Sequence, residues 1–172
     1  MRNTRNITKT ALFTAVLCVS SLLSIPLPSG MPLTLQTFAV ALAGFVLGWR
    51  EAAASVGVYL TLGAVGLPVF SGFSSGFARL FGLTGGYLWG FLFLAAACGA
   101  VPRTKRLLSI GTALLGLALC HLLGTAQFAL VSGASPAAAF LMASAPYMIK
   151  DVLSVLGAFL LAAVLEKSLR RA

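Results

Sequence analysis

Residues 107–149 read LLSIGTALLGLALCHLLGTAQFALVSGASPAAAFLMASAPYMI, an uninterrupted stretch of 43 residues without Asp, Glu, Lys or Arg. A bilayer core about 30 Å thick is crossed by roughly 20 apolar residues in a helix, so this stretch is long enough for two crossings. Turn-forming residues are grouped inside it, at 132–136. The stretch therefore predicts two membrane helices joined by a turn.

The rest of the 172-residue chain has the same character. Hydrophobic residues make up 59% of the chain and charged residues only 9%, whereas about 25% of a soluble domain is charged. Further uncharged stretches of 40, 27 and 23 residues begin after Lys9, Glu51 and Arg79. We therefore predict an all-α membrane protein, a single domain over residues 1–172, with spans near 7–27, 33–49, 52–68, 86–101, 107–131 and 145–166. Residues 137–143 are expected to form a short surface or re-entrant helix.

The basic residues predict the orientation of these spans. Lys and Arg that flank membrane helices are retained in the cytoplasm. Six spans place both termini on one side, and that side receives ten of the twelve basic residues, leaving only Arg79 and Lys150 opposite. Both termini are therefore predicted to be cytoplasmic. The net charge of +9 is then explained by topology and by contact with anionic lipid, without nucleic acid.

Two adjacent charges, Lys150 and Asp151, lie at the start of the last predicted span. A charge at membrane depth costs about 2.5–3.5 kcal/mol and usually has a functional partner. Neighbouring residues on a helix point about 100° apart, so we expect that the two do not neutralise each other and that each addresses another group. Both are candidate ligand-binding residues. The alternative is a structural role, with Lys150 on a loop carbonyl and Asp151 on a helix N-terminus.

The segment 66–87, GLPVFSGFSSGFARLFGLTGGY, is predicted to lie outside the cell between the third and fourth spans. Its glycines allow close backbone approach and its aromatic residues supply apolar faces, which is typical of a folded lid. Arg79 is its only charge. That arginine could bind a ligand or, equally well, a lipid phosphate.

A second class of function, an intramembrane serine hydrolase, rests on two residues. Gly72–Gly76 matches G-x-S-x-G with Ser74 at its centre, and His121 is the only histidine. The motif normally lies in a strand-turn-helix context, which an all-α membrane chain lacks. We therefore expect His121 to pack or hydrogen-bond between helices.

The sequence also lacks the motifs typical of nucleotide binding and of metal binding. It has no G-x-x-x-x-G-K-[ST] phosphate loop and no His/Cys/Asp/Glu cluster with metal-ligand spacing. We expect no metal, no cofactor and no ATPase activity of its own, so that another subunit would supply energy for transport. Ala11 and Ala15, four residues apart on the first span, allow close approach of a partner helix, although packing within the chain is the commoner use of such a pair.

Three motifs in order carry a family resemblance. They are P-L-T-L-Q-T-F-A-V at 32–40, L-G-A-V-G-L-P-V-F at 62–70 and G-L-T-G-G-Y at 82–87. Over nearly its whole length the chain resembles the BioY family, the biotin-binding S components of energy-coupling factor (ECF) vitamin transporters. It departs from the family pattern at Leu83, where proline is usual, and at Lys150, because many members carry P-G-D-x-x-K, with the lysine after the aspartate.

The resemblance implies a six-helix protein of the cell membrane that captures biotin from outside and is not an enzyme. It also implies partners, a transmembrane coupling protein and two ATPase subunits, with Ala11 and Ala15 as the docking face for the coupling protein. Capture of a different vitamin would use the same helices and the same docking face. That alternative stays open at the level of sequence.

Biotin has a ureido ring, an apolar thiophane ring and a valerate carboxylate. We expect Asp151 to accept a hydrogen bond from a ureido N–H, and Lys150 or Arg79 to pair with the carboxylate. The other expected binding residues are Gln36 and Tyr87 as hydrogen-bonding groups, Phe73 and Phe77 as covers for the ring, and Gly85 and Gly86. The segment 66–87 and the proline-rich segment 24–32 are expected to act as lids.

Overall fold

The computed structural model describes residues 2–25 and 32–169, which form seven α-helices. By length and composition, two helical stretches, Arg106–Ser132 and Ala145–Lys167, qualify on their own as membrane spans. The remaining helices are shorter or carry charges near one end. In chain order the helices are α1 Arg2–Leu22, α2 Gln36–Leu47, α3 Trp49–Ala64, α4 Gly85–Ala100, α5 Arg106–Ser132, α6 Pro136–Ala143 and α7 Ala145–Leu169.

The connection between α1 and α2 differs from its prediction. Strand β1, Ser24–Ile25, pairs antiparallel with strand β2, Leu33–Thr34. The first helix therefore ends at Leu22 rather than near residue 27, because the chain enters this ladder, and α2 begins at Gln36 rather than 33 for the same reason. Residues 26–31 of the proline-rich segment lie outside the described residues. The strand β2 that follows them brings Thr34 and Gln36 to the mouth of the helix bundle.

Helices α2 and α3 are joined by a single residue, Gly48. Its φ of 86° is in the region that favours glycine, and it turns the chain sharply without a longer loop. Helix α2 is apolar on all sides and most of its residues are buried, as expected of a helix in the centre of a bundle. It packs against α1, α3, α4 and α7.

The segment between α3 and α4 is folded rather than extended. It contains two short 3-10 turns, Ser71–Phe73 and Phe77–Phe81. The Gly76 N–H donates to the Gly63 carbonyl at 2.8 Å, and the Gln127 side chain donates to the carbonyls of Leu80 and Gly82 at 3.0 and 2.8 Å. These bonds attach the segment to the ends of α3 and α5.

Helix α6 is the short helix expected at 137–143, and it begins at Pro136. The Ser135 hydroxyl caps it by accepting from the Ala138 N–H at 3.3 Å, and Pro136 lies at a position where its missing N–H costs nothing. Only Ser144 separates α6 from α7. This tight corner holds the beginning of α7 against α5.

Polar contacts distinguish the two ends of the bundle. At one end, which we call the terminal end, Asn6 of α1 donates to Glu51 of α3 at 3.0 Å, and Arg103 forms an ion pair with Glu166 of α7. At the other end, the loop end, lie the β1–β2 ladder, the folded segment after α3, helix α6 and the beginning of α7. The cavity described next opens at the loop end.

Candidate functional site

A cavity of about 710 Å³, measured to its open mouth, lies at the loop end. Its wall combines apolar side chains with polar and charged ones, as the walls of small-molecule sites do. Residues of α2, α4, α5 and α7, of β2 and of the segment after α3 line it. The polar and charged residues of its wall are Thr34, Gln36, Thr37, Ser71, Ser74, Arg79, Thr84, Tyr87, Cys120, His121, Tyr147, Lys150 and Asp151.

Asp151 is the buried acid of this cavity. Its side chain is 8% exposed, and its Oδ2 lies 3.3 Å from Nε2 of His121 on α5. Its Oδ1 lies 2.5 Å from Nζ of Lys150 but has no hydrogen bond of good geometry among the described residues. Asp151 thus contributes to the cavity wall a carboxylate with acceptor capacity that these contacts do not use up.

Lys150 corrects the expectation that adjacent charges would not meet. Although the two Cα–Cβ bonds diverge on α7, the four-carbon stem of the lysine is long enough to bend back to the Asp151 carboxylate. The same ammonium donates to the Thr34 carbonyl at 3.0 Å. The structural role considered for Lys150, a hydrogen bond to a backbone carbonyl, is therefore found in the structure, although the carbonyl belongs to β2 and not to a loop. Lys150 joins α7 to β2 while it remains on the cavity wall.

Ser144 organises the polar groups behind His121. Its Oγ lies 3.0 Å from His121 Nδ1 and 2.7 Å from both Tyr87 Oη and Thr125 Oγ1. Tyr87 Oη also lies 2.8 Å from the Ala143 carbonyl. These contacts, on α4, α5 and the α6–α7 corner, fix the imidazole ring beside Asp151.

Gln36 is held at the opposite side of the cavity. Its Nε2 donates to Tyr59 Oη at 2.8 Å, and its Oε1 accepts from Thr34 Oγ1 at 3.0 Å. Tyr59 is only 1% exposed. Because both ends of the amide are bonded within the protein, its orientation is set before any ligand arrives.

Arg79 lies at the mouth of the cavity. It is in the second 3-10 turn and exposed, and its side chain makes no hydrogen bond or ion pair with the described residues. It differs in this from Lys150, whose ammonium is already occupied. Among the described residues, Arg79 is therefore the cation of the cavity wall whose side chain has no partner to give up when an anion enters.

The predicted aromatic cover is placed elsewhere. Phe73 and Phe77 are 68% and 64% exposed and do not line the cavity. Phe73 has a positive φ of 55°, and although the turn Ser71–Phe73 packs against α1, the Phe73 side chain lies on the surface. The aromatic wall is instead supplied by Phe70, which is 2% exposed, and by Phe91 of α4.

Gly85 and Gly86 are also absent from the cavity wall. A Cβ on Gly85 would lie 2.0 Å from the Leu80 carbonyl oxygen, and one on Gly86 would lie 2.3 Å from the Leu123 carbonyl oxygen. Both glycines therefore let α4 pack closely against the 3-10 turn and against α5. Their role is in packing, and it positions Tyr87 next to them.

We expect Gly86→Ala to destabilise the protein by about 3 kcal/mol, because the added methyl meets backbone that cannot rotate away. Thermal unfolding of the detergent-solubilised protein measures this. Gly111→Ala is the matched control, since a Cβ there meets nothing within 4 Å. Equal stability of the two variants would contradict the close contact between α4 and α5.

The hydrolase arrangement is not formed by the residues that suggested it. Ser74 Oγ donates to the Ser71 carbonyl at 2.8 Å, while His121 bonds to Ser144. Although Ser144, His121 and Asp151 form a Ser-His-Asp chain, Ser144 is 0% exposed and its hydroxyl is surrounded by Tyr87 and Thr125. No substrate carbonyl can reach it. Among residues 2–25 and 32–169 there is also no group of three His, Cys, Asp or Glu side chains placed to hold a metal.

Sequence reasoning missed the direct contact of His121 with the site. The prediction that it hydrogen-bonds between helices is correct, but its partner is the candidate ligand-binding acid itself. A signal was present in the sequence: a histidine within an apolar span is an ionisable residue that by default marks a functional site. Thr34, Thr37 and Phe70 were also missed as wall residues, because β2 and the folded segment bring them there only in three dimensions.

Ala11 and Ala15 are both exposed on α1, far from the cavity wall. Around them α1 also exposes larger apolar side chains, including Leu12 and Val19, each 59% exposed. This face of α1 is open to lipid or to a partner helix.

Comparison with known proteins agrees with the fold and with the sequence motifs. A model of the BioY family matches residues 1–171. The probable biotin transporter BioY of Pyrococcus horikoshii is 35% identical over 94% of this chain and 96% of its own length, and the biotin transporter BioY of Thermotoga maritima is 39% identical over 70% and 72%. The crystal structure of the S-component for biotin from an ECF-type ABC transporter superposes with a TM-score of 0.86, at 24% identity, over 96% of this chain and 93% of that one. The protein thus has an S-component fold and belongs to the BioY family.

Proposed function

We propose that this membrane protein captures biotin and takes part in its uptake as the substrate-binding S component of an ECF transporter. The observation that carries the proposal is the buried carboxylate of Asp151, held by His121 and Lys150 in the wall of a cavity suited to a small molecule. The relatives named as biotin transporters support the choice of ligand. The protein is a transporter subunit and not an enzyme, and biotin is its ligand rather than a cofactor.

The ureido ring of biotin binds at the deep end of the cavity. Asp151 Oδ1 accepts from a ureido N–H, and Gln36 and Tyr87 add hydrogen bonds around the ring. Phe70 and Phe91 take the place of Phe73 and Phe77 as the apolar wall beside the thiophane ring, since they line the cavity. The polar cluster at Ser144 keeps His121 and Asp151 in place, which lowers the cost of ordering the site upon binding.

The valerate carboxylate binds Arg79 at the mouth. Lys150 is engaged by Asp151 and the Thr34 carbonyl, so that its use as the anchor would break two existing contacts. Arg79 breaks none. A guanidinium can also grip a carboxylate with two parallel hydrogen bonds. The segment 66–87 then acts as a lid over the bound molecule.

We propose the topology that the sequence predicts. A single domain over residues 1–172 crosses the cell membrane six times, through α1, α2, α3, α4, α5 and α7. The terminal end, with Arg103, Lys105 and Arg106, is cytoplasmic, since basic residues are retained there. The cavity at the loop end then opens to the outside, where biotin is captured.

The partners are a transmembrane coupling protein and two ATPase subunits. Ala11 and Ala15 form the docking face for the coupling protein, because small residues four apart allow a second helix to approach closely. Their exposure on α1 supports this use over packing within the chain.

We expect the double substitution Ala11→Leu/Ala15→Leu to lower biotin uptake by cells about fivefold and to leave biotin binding by the purified protein unchanged. The larger side chains hold the partner helix away but remain compatible with lipid. The control is Ala118→Leu/Ala126→Leu, two exposed alanines of α5. Equal uptake by both double variants would remove the docking role from α1.

The ligand is tested by isothermal titration of the purified protein with biotin. Saturable binding that riboflavin and thiamine do not compete for is the expected result. Competition by another vitamin with higher affinity would favour an S component for that vitamin. Absence of biotin binding, with the protein shown to be folded by thermal unfolding, would overturn the proposal.

A further inference from the structure

A second concavity lies at the terminal end, on the opposite side of the molecule from the proposed biotin site. It is an open groove of about 1150 Å³ between the α4–α5 loop and the last turns of α7. Three cations line it, Arg103, Arg106 and Lys167, together with one carboxylate, Glu166. The groove therefore carries an excess of positive charge.

Arg103 supplies the groove with a hydrogen-bond donor that no described residue satisfies. One of its terminal nitrogens, Nη2, pairs with Glu166, and its side chain is only 13% exposed. The other terminal nitrogen, Nη1, is buried without a hydrogen-bond partner among the described residues. A buried donor left unsatisfied is destabilising, and an acceptor that enters the groove would remove that cost.

The floor of the groove is apolar. Phe159, Leu160 and Ala163 precede Glu166 and Lys167 at intervals that place all five on one face of α7. Leu160 is 66% exposed. A charged rim above an apolar strip along a membrane helix matches a molecule with an anionic head and a hydrocarbon tail.

We propose that this groove binds an anionic phospholipid, such as phosphatidylglycerol. Its phosphate accepts from Arg103 Nη1 and pairs with Arg106 and Lys167, while an acyl chain lies along Leu160 and Ala163. Charge complementarity and the place of the groove, at the end of two membrane helices and above an apolar strip, favour a lipid over a soluble anion. The site is separate from the biotin cavity, so the inference does not depend on the identity of the transported ligand.

Native mass spectrometry of the detergent-solubilised protein tests this, by titration with dioleoylphosphatidylglycerol and with dioleoylphosphatidylcholine. We expect tighter binding of the anionic lipid, weakened about tenfold in Arg106→Gln/Lys167→Gln and retained in Arg106→Lys/Lys167→Arg. The matched control is Arg50→Gln/Lys105→Gln, which removes two exposed cations outside the groove. Its affinity should stay within twofold of the wild-type value.

Three results would overturn the proposal. Equal loss in the two charge-removing variants would mean a diffuse attraction without a site. Displacement of the lipid by inorganic phosphate at millimolar concentration would mean a site for a soluble anion. Unchanged lipid binding in Arg106→Gln/Lys167→Gln, with lost association with the coupling protein, would assign the groove to a protein partner.

Discussion

Asp151→Asn is expected to lower the biotin affinity of the purified protein about 100-fold. The carboxylate is proposed to accept a ureido N–H, and a hydrogen bond to a charged group contributes about 1.5–3 kcal/mol, where 1.4 kcal/mol is a factor of ten. The amide also leaves the ammonium of Lys150 without its charged partner in a site that is largely removed from water. Isothermal titration of the variant measures the loss.

The matched control is Glu51→Gln, which makes the same acid-to-amide change at the terminal end. Glu51 accepts from Asn6 there and does not line the cavity. We expect its biotin affinity to equal that of the wild type. Thermal unfolding separates lost binding from lost folding.

An N-methylated ureido analogue of biotin distinguishes a ligand contact from a supporting role. Wild-type protein should bind the analogue weakly, and Asp151→Asn should discriminate little between it and biotin. If Asp151→Asn binds biotin within threefold of the wild type, Asp151 serves only to hold Lys150 and His121.

Arg79→Gln is expected to lower biotin affinity about 30-fold and to leave the affinity for biotinamide unchanged. The amide analogue lacks the negative charge that the guanidinium meets, so only the wild type should prefer biotin over it. A charge-assisted hydrogen bond in a cavity covered by a lid contributes about 2 kcal/mol to binding, which corresponds to the 30-fold change in affinity. Titration of both proteins with both ligands gives the coupling free energy between the Arg79 side chain and the ligand carboxylate.

The variant Lys150→Gln tests the alternative that Lys150, and not Arg79, binds the valerate carboxylate. In that case the variant at position 150 would lose the preference for biotin over biotinamide, and Arg79→Gln would retain it. With Arg79 as the anchor, Lys150→Gln weakens both ligands equally, because it acts through the position of Asp151. The two variants together decide which cation meets the carboxylate.

Much of the helical architecture is predictable from local sequence. The uncharged stretches between the charges at Arg50, Arg79 and Arg106 indicate where apolar helices lie along the chain. They do not give the helix bounds, because α3 includes Arg50 and α2 has only 12 residues. The start of α6 follows from Ser135 and Pro136, through local capping and the fixed φ of proline, and the start of α7 follows from Pro146 in its first turn. The ends of α1 and α2 are not predictable in this way, because the β1–β2 ladder that sets them joins residues on either side of the proline-rich segment.

The residues of the candidate site are likewise only partly predictable from local sequence. The cost of burying a charge is enough to single out Lys150 and Asp151 by residue type and position, whereas the phenylalanines of segment 66–87 cannot be sorted by sequence. Phe70 packs inward and Phe73 outward because of backbone turns within a few residues of each other. Gly85 and Gly86 are similarly ambiguous, since a close approach to a ligand and a close approach to a helix need the same absence of a side chain.

The sequence by itself determined that this chain is a helical membrane protein of the BioY pattern with a charged pair at the head of its last helix. Those properties depend on composition, spacing and the energy of transfer into lipid, which each segment carries locally. Only the tertiary structure decided that Lys150 bends back onto Asp151, that His121 and Ser144 support that acid, and that Arg79, of the two cations on the cavity wall, is the unoccupied one among the described residues. These are relations between side chains on different helices, and their distances are set by how the helices pack.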